Sequence, residues 1–341
     1  MSVEKDQVTG MFLGIAIGDA LYMPVETWTP EQIRNKHGRL TTYVRPDGHK
    51  WFDGREAGTW TDDTQLTLVI AESLIEQKKI DLDSLAKRHV ESWQKEGNLG
   101  FGKTTNQAIQ KLANGIHWLE SGKNNKPKDG VGNGVAMKVS PIGALRASPF
   151  WLDQWVEWKS KFINNIIGLT LMTHYKRIAI DSALAHVFAV NLCLSGNFSV
   201  KKFLGDISYW SDFVIFTEIL PLKDNLLGRF DILSKIELES LTTEEIIKMF
   251  DGGTSYVYNS LPFSYAFFLR NPYSIETLYD VGNAGGDTDT NASIVGGLLG
   301  ALNGASIFPQ HLVEGLWQKD RILATADKFY ETFFEQKKEV Q

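Results

Sequence analysis

The chain has 341 residues, of which 43% are hydrophobic and 22% are charged. This ordinary globular composition excludes a disordered chain, a collagen-like chain and a small disulfide scaffold. The net charge of −6, from 35 basic and 41 acidic residues, argues against an extended nucleic-acid surface, although it leaves a local basic patch open. The single cysteine, Cys193, excludes an intramolecular disulfide and a cysteine cluster for a metal.

Helix signals dominate the chain. Pro30 opens a short segment that Gly38 closes, and Thr242 forms a capping-box pattern with Glu245. Strand-like alternation is almost absent, so the sequence predicts a mostly α-helical fold. No linker-like segment stands out, and we expect a single domain over 1–341. The predicted helices cover 11–17, 30–37, 61–78, 81–96, 104–119, 181–194, 255–270, 290–307 and 319–337.

One uncharged stretch, 290–313, is about long enough to span a bilayer. It contains Asn291, Ser293 and Pro309 and lacks cationic flanks, so we interpret it as a buried helix and expect no membrane partner. The N-terminal segment carries Asp6 and lacks the small-residue pattern of a cleaved signal. The expected location of the protein is therefore the cytoplasm.

A stripe of glycines marks the predicted helix 290–307. Gly296, Gly300 and Gly304 recur every four residues, and each glycine inside a helix costs roughly 1 kcal/mol relative to alanine. Such a stripe is useful where a second helix packs unusually closely. The sequence therefore predicts that this helix is central in the fold.

Two segments place carboxylates and hydroxyls at predicted helix starts: TDDT at 61–64 and GGDTDT at 285–290. In the first, adjacent helical residues point about 100° apart, so one aspartate can cap the helix while the other faces something else. If the two segments meet, at least four carboxylates share one site, and such a group either takes up protons or binds cations. Carboxylate and hydroxyl oxygens suit Mg²⁺, Mn²⁺ or Ca²⁺ rather than Zn²⁺. A metal site is therefore a hypothesis from these residues.

Three further polar segments have less specific patterns. GDALYMPVE at 18–26 follows the apolar helix 11–17, and on its own it is typical of a helix stop with solvated carboxylates. The glycines of GVGNG at 130–134 and GFGKTT at 100–105 allow a backbone to approach a phosphate, with ordinary loop geometry as the alternative. The segment at 130–134 is not a P-loop, because no GK[ST] pattern follows it and Lys138 lies four residues past its last glycine.

Together these segments resemble the ADP-ribosylglycohydrolase family, which includes the dinitrogenase reductase-activating glycohydrolases. The resemblance runs from Gly10 to Gly304 in the family's order. It implies a compact all-α fold around a binuclear metal centre with two Mg²⁺ (or Mn²⁺). It also implies hydrolysis of the glycosidic bond between C1″ of ADP-ribose and an acceptor. The matching segments are GMFLGIAIGDAL, GTWTDDTQLTLVIAESL, GFGKTT, GNGVAMKVSPIGAL, THYKRIA, YNSLPFSYAFFL and GGDTDTNASIVGGLLGALNG.

The resemblance implies a role for individual residues at matching positions. Asp289 matches the ligand that bridges the two ions, and Glu26 matches a residue at the metal edge that is a candidate acid/base. The expected catalytic residues are Glu26, Asp62, Asp63 and Asp289. The expected metal ligands are Thr61, Asp62, Asp63, Asp287, Asp289 and Thr290. The residues expected to hold the pyrophosphate and the distal ribose are Gly100, Gly102, Gly130, Gly132, Asn133 and Met137, with His174 on the adenine-ribose side.

The sequence departs from the family pattern around the expected ligand rather than at the metals. Tyr22 stands where the family often has glycine, Lys138 replaces a frequent arginine, and 173–177 lacks the second histidine and the proline of T-H-x-H-P. These departures bear on acceptor preference more than on the reaction. We also expect the ring of Tyr22 or Trp60 to line the cleft.

The implied substrate is an ADP-ribosylated protein, linked through arginine or serine, or a small ADP-ribose conjugate, and the expected protein is a monomer. Two alternatives stay open. One is a hydrolase of another ribosyl compound, because binding a ribose diol through metals does not require the ADP. The other is a catalytically degenerate ADP-ribose-binding protein, against which the complete set of expected ligands argues.

Overall fold

The chain folds almost entirely into α-helices joined by turns and loops. A computed structural model describes residues 3–124, 126, 129–149, 155–212 and 226–335. Within these ranges no β-strand forms, and the one strand-like pairing is a bridge between Gly132 and Tyr256. The all-α prediction is confirmed. Buried apolar side chains from Val3 to Phe334 form one large cluster, while a single domain over the whole chain stays a prediction.

The helices are numbered in chain order. In the first half they are α1 (Lys5–Tyr22), α2 (Pro30–His37), α3 (Asp62–Gln77), α4 (Leu82–Glu96), α5 (Lys103–Ala113), α6 (Trp118–Ser121), α7 (Ser140–Ala147) and α8 (Trp155–Thr173). In the second half they are α9 (Arg177–Leu194), α10 (Val200–Asp212), α11 (Leu226–Ser234), α12 (Thr243–Met249), α13 (Val257–Arg270), α14 (Glu276–Asn283), α15 (Thr288–Asn303), α16 (Gln310–Glu314) and α17 (Lys319–Phe333).

Two helix predictions are wrong. The first helix does not end at Gly18 but continues for another turn to Tyr22. Gly18 lies inside the helix because a neighbouring helix packs so closely there that a Cβ atom would overlap its backbone. The predicted helix 104–119 is instead divided into α5 and α6 by a turn at Gly115, whose φ of 80° only glycine adopts easily. The predicted helix 319–337 corresponds to α17, and its last two residues lie outside the described part.

The centre of the fold is the close packing of α1 against α15. Backbones face each other where small residues oppose one another: Gly14 lies against Gly296, and Gly18 lies against Ala292. A Cβ atom on Gly14 would overlap the carbonyl oxygen of Gly296. The predicted close approach along the glycine stripe is therefore confirmed, although Gly304 follows α15 as its end rather than lying within it.

Gly14→Ala should destabilise the protein, because the added methyl meets backbone atoms that cannot rotate away. Overpacking of this kind costs about 1–3 kcal/mol or more. The control is Gly228→Ala in α11, where a Cβ meets nothing within 4 Å and helix propensity improves. Urea unfolding followed by circular dichroism should give a lower midpoint for Gly14→Ala and an unchanged or higher one for the control. Equal midpoints for the two variants would contradict close packing.

Two helices pass a simple length and composition test for a membrane span, Lys5–Val25 and Arg177–Leu194. Their most apolar windows are 94% and 89% buried inside the fold, as in the core helices of many proteins. The stretch 290–313, which the sequence also singled out, begins inside α15, and the residues of that helix up to Ala301 are buried. These helices therefore form the interior that supports the polar cluster described next.

Candidate metal centre

Asp19, near the end of α1, is completely buried and holds the start of α3. Its carboxylate accepts hydrogen bonds from the amide of Thr61 at 2.9 Å and from the amide of Thr64 at 3.0 Å. The hydroxyls of the same two threonines donate to it at 2.7 and 2.6 Å. Asp19 therefore satisfies amides that a capping residue normally binds. The interpretation of Asp19 as a solvated residue at a helix stop is wrong.

Because Asp19 caps α3, neither aspartate of the TDDT segment has to. Both Asp62 and Asp63 instead line a cleft. Asp63 accepts a 3.2 Å hydrogen bond from the hydroxyl of Thr290 on α15. The two helix starts that carry TDDT and GGDTDT thus meet in space.

The turn before α15 is built so that carboxylates project from a tightly packed backbone. Gly286 has a φ of 83°, and a Cβ there would overlap the carbonyl oxygen of Gly252. The amide of Thr27 donates to Gly286 O at 2.8 Å, which ties this turn to the segment that carries Glu26. Asp287 accepts a 2.7 Å hydrogen bond from the side-chain amide of Asn133.

Three carboxylates converge at this turn. Glu26, Asp287 and Asp289 each place one oxygen within 4.8 Å of the others. In addition, Asp63 Oδ1 is buried and has no hydrogen-bond partner among the described residues. Burying an unpaired carboxylate oxygen is costly, and a divalent cation would offset that cost. The residues present therefore fit a hard cation held by oxygen ligands.

The electrostatics of the cluster point the same way. Burial, together with the charges of Asp287 and Asp62, raises the pKa of Glu26 to about 9. Burial and the charge of Asp19 raise the pKa of Asp62 to about 7. The pKa values of Asp63 and Asp289 also lie well above the ordinary range, because of burial and neighbouring carboxylates. Without a cation, the cluster therefore holds protons at neutral pH.

These pKa directions predict how a metal stabilises the fold. A carboxyl whose pKa is raised by folding lowers the free energy of unfolding as the pH rises from its unfolded-state pKa of about 4 toward its folded-state pKa. The metal-free protein should therefore become less stable up to about pH 9. A cation requires the ionised form, so its contribution grows over the same range. At a hundred times its Kd it supplies about 2.7 kcal/mol.

Thermal melts in EDTA and in excess Mg²⁺ or Mn²⁺ should therefore differ by several degrees at pH 8 and by less at pH 5. The matched control is excess Na⁺ at equal ionic strength, which should leave the melting temperature in EDTA almost unchanged. Identical melts with EDTA and with divalent cation at pH 8 would contradict a metal centre.

The glycine-rich loops border the same cleft, which has a volume of about 350 Å³. The loop 130–134 is fixed by the amide of Asn133, which donates to Ser255 O at 3.0 Å, and by the amide of Val257, which donates to Val131 O. Gly100 has a φ of 140°, and a Cβ there would lie 2.9 Å from Asp62 Oδ1. The predicted residues that line the cleft are Glu26, Asp62, Asp63, Gly100, Gly102, Gly130, Gly132, Asn133, Met137, His174, Asp287, Asp289 and Thr290.

Thr61 is the one predicted site residue that does not border the cleft. Its hydroxyl proton goes to Asp19, which leaves the oxygen lone pairs available to a cation. Its role as a ligand stays a prediction, as do the individual roles of the other site residues.

Lys138 is a completely buried lysine that stood out in the sequence only as a departure from the family pattern. Its ammonium group donates to the hydroxyl of Thr173 at 3.3 Å, and the same hydroxyl bonds to His174 Nδ1 at 2.9 Å. Burial lowers the pKa of Lys138 to about 7, and the charge of Asp62 opposes that shift. Lys138 is thus coupled to Asp62 electrostatically and is connected to His174 through the hydroxyl of Thr173.

The expectation that Tyr22 or Trp60 lines the cleft is wrong. Both rings are fully buried, and neither borders the cleft. The hydroxyl of Tyr22 donates to Leu40 O at 2.9 Å, and the indole of Trp60 donates to Trp317 O at 2.8 Å. Each aromatic residue anchors a neighbouring loop instead.

A larger groove of about 980 Å³ lies between α10 and α11 and is mainly apolar. Its acidic residues, Glu237 and Glu239, do not converge with other acidic, histidine or cysteine side chains in the described part of the chain. The smaller cleft is therefore the better candidate for chemistry, because its polar groups converge.

Comparison with known proteins agrees with this site. The model of the family described as ADP-ribosylglycohydrolase matches residues 2–339. A protein of Archaeoglobus fulgidus is 28% identical over 330 residues, which cover 96% of this chain and 97% of the relative. ADP-ribosylhydrolase ARH3 of Gallus gallus is 26% identical over a region that covers 88% of this chain and 86% of the ARH3 chain.

A solved structure titled "ADP-ribosylglycohydrolase-related protein complex" superposes with a TM-score of 0.65 at 21% identity, over 96% of this chain and 98% of that one. At this identity the superposition supports the fold alone, whereas the family model also spans both carboxylate segments and both glycine loops. This chain is therefore a member of the ADP-ribosylglycohydrolase family.

Proposed function

We propose that the protein hydrolyses the glycosidic bond between C1″ of ADP-ribose and an acceptor, and that the reaction depends on two Mg²⁺ or Mn²⁺ ions. The observation that carries the proposal is the shared cleft: the converging carboxylates Glu26, Asp287 and Asp289 open onto the glycine loop 130–134. A ribose at the carboxylates and a pyrophosphate at the loop need this arrangement.

The chain offers enough oxygen ligands for the cations. Asp62, Asp63 and Asp289, with the hydroxyl of Thr290, are the donors that a hard cation prefers, and Glu26 lies at their edge. Bound there, such ions supply positive charge that binds the ribose diol and lowers the pKa of water.

The residues of the chain perform three tasks in the proposed reaction. The loops 100–102 and 130–134 present backbone amides to the pyrophosphate and so fix C1″ in the cleft. The carboxylates favour the oxocarbenium-like charge that develops at C1″ as the bond breaks. Glu26, at the edge of the carboxylates, would give a proton to the acceptor as the bond to C1″ breaks; water then adds to C1″ and its released proton returns to Glu26.

The comparisons support this reaction class. The family model and the printed name of the Gallus gallus relative, ADP-ribosylhydrolase, both refer to hydrolysis of ADP-ribosyl compounds. The complete carboxylate set in the cleft favours an active enzyme over a degenerate binding protein.

The test is release of free ADP-ribose from arginine-linked, serine-linked and carboxylate-linked substrates in Mg²⁺, with the product identified by mass spectrometry. Release from at least one substrate is the expected result, and Asp289→Asn is the negative control. Tight binding of ADP-ribose without release from any substrate would instead indicate a binding protein. If the protein instead released ribose only from ribosides that lack ADP, it would be a hydrolase of another ribosyl compound.

A further inference from the structure

A second pocket of about 520 Å³ adjoins the cleft, and Glu26 lines both cavities. The two cavities share Glu26, Gly100, Gly102 and Lys103 in their walls, and their remaining lining residues differ. If ADP-ribose fills the cleft with its pyrophosphate at the loop 130–134, the bond that breaks lies next to Glu26, and the leaving acceptor must extend away from the loop 130–134. The second pocket is the adjoining space.

The wall of this pocket is tied to Glu26 by a series of contacts. His49 Nε2 bonds to the backbone carbonyl of Glu26 at 3.2 Å, and the His49 ring stacks on Phe52 with 5.0 Å between centroids. The guanidinium of Arg55 lies 4.9 Å from the centre of the Phe52 ring. Beside them the ring of Trp51 is 52% exposed, which is unusual for so large an apolar side chain.

Arg55 is the charged group of this wall with the most unused hydrogen-bonding capacity. Its one hydrogen bond among the described residues goes from Nη1 to Leu99 O at 3.1 Å, and no described carboxylate lies within ion-pair distance of it. A guanidinium has five N–H donors and stays charged at neutral pH. Lys103 adds a second cation at the rim, 3.6 Å from Asp129.

We propose that this pocket is the acceptor subsite and that Arg55 binds an acidic residue next to the modified side chain. The proposal rests on the proposed function, since it concerns the acceptor of that reaction. Trp51 and Phe52 give the acceptor an aromatic surface, while Arg55 supplies the charge-assisted hydrogen bonds that select an acidic neighbour. A lysine or arginine at the same place meets like charge.

The electrostatic field of the carboxylate cluster favours a positively charged acceptor, which is the opposite of the preference that Arg55 gives. Burial lowers the pKa of Arg55 and the charges of Asp19 and Asp62 oppose that shift, so the field of these carboxylates reaches this wall and favours a cation there. However, Asp62 lines the cleft and Asp19 is completely buried, so neither lines the pocket that the acceptor must enter, whereas Arg55 does. Because the carboxylates favour a cation, a measured preference for an acidic neighbour would have to come from the contact with Arg55.

The experiment compares two ADP-ribosylated peptides that share length and linkage, the linkage being whichever the substrate panel finds hydrolysed. One carries glutamate beside the modified residue and the other carries lysine. For the wild type, kcat/KM should favour the glutamate peptide by roughly tenfold, and Arg55→Gln should reduce that ratio to about one. Arg55→Lys should retain part of the preference.

The matched control is Arg45→Gln, the loss of an exposed arginine in the same segment that pairs with Glu56 and lines neither cavity. It should leave the ratio unchanged. Calorimetric binding of free ADP-ribose should be equal in all variants, which reports that the cleft is intact. Salt dependence tests the same contact without any variant. The wild-type ratio of kcat/KM for the glutamate peptide to that for the lysine peptide should fall toward one as NaCl approaches about 1 M, where the Debye length is about 3 Å.

A wild-type preference for the lysine peptide, or an equal preference in wild type and Arg55→Gln, would overturn the subsite while leaving the hydrolase intact. Absence of hydrolysis on every linkage would instead overturn the proposed function and the subsite with it.

Discussion

Replacing Asp289 with asparagine should abolish both metal binding and turnover. Asp289 stands at the first turn of α15, buried among the carboxylates, and an amide oxygen carries no charge to hold a cation. Loss of a residue that only orients a ligand typically costs 10–100-fold in metal affinity or activity, so loss of a ligand should cost more than about 100-fold. Calorimetric titration of Mg²⁺ or Mn²⁺ and single-turnover hydrolysis measure the two effects.

The same variant should gain stability when metal is absent. Burial and neighbouring carboxylates raise the pKa of Asp289, so folding without metal requires this carboxyl to take up a proton at neutral pH, and asparagine removes that cost. In EDTA the variant should therefore melt above the wild type, which shows that its inactivity is not caused by unfolding. Asp320→Asn, an exposed position in the first turn of α17, is the matched control and should change neither property. Wild-type turnover by Asp289→Asn would contradict its place among the ligands.

Replacing Glu26 with glutamine should slow the chemical step by about 10²–10⁴-fold while preserving binding. Glu26 lies at the edge of the cluster, so the remaining ligands should still hold at least one cation and ADP-ribose. The loss should therefore appear in the single-turnover rate, with little change in calorimetric affinity for either ligand.

The matched control for Glu26→Gln is Glu31→Gln, an exposed glutamate in the first turn of α2. It should behave as the wild type in both assays. If Glu26→Gln binds both ligands and hydrolyses at the wild-type rate, the proton-handling role passes to Asp62 or Asp63.

Much of the site was predictable because its residues break strong local patterns. Carboxylates and hydroxyls at two helix starts, next to paired glycines, are more than capping requires, and the structure brings both segments to one cleft. The glycine stripe likewise predicted the close approach of α1 and α15, since glycine is costly inside a helix unless a neighbour needs the space.

The role of Asp19 was not predictable in the same way. A lone aspartate after an apolar helix is typical of a solvated end, and only the tertiary packing of α1 on α3 shows that it caps a distant helix. Similarly, α7 was missed because nearly all of it is buried, so it shows no contrast between an apolar and a polar face.

Tyr22 and Trp60 show a related limit. Both stand within a few residues of the site in sequence, and their rings nevertheless turn into the core, where their polar atoms find backbone carbonyls. Proximity in sequence sets where a Cα lies but leaves the direction of a side chain to packing, and buried tyrosine and tryptophan need a partner for their donors.

The most direct test of the account is removal and return of the metal. Single-turnover release of ADP-ribose from a hydrolysed substrate is measured after EDTA treatment and again after Mg²⁺ or Mn²⁺ is added back. The carboxylate cluster predicts loss of hydrolysis in EDTA and full recovery with the cation, with both effects absent in Asp289→Asn. Hydrolysis at an undiminished rate in excess EDTA would contradict a metal-dependent site at Glu26, Asp287 and Asp289.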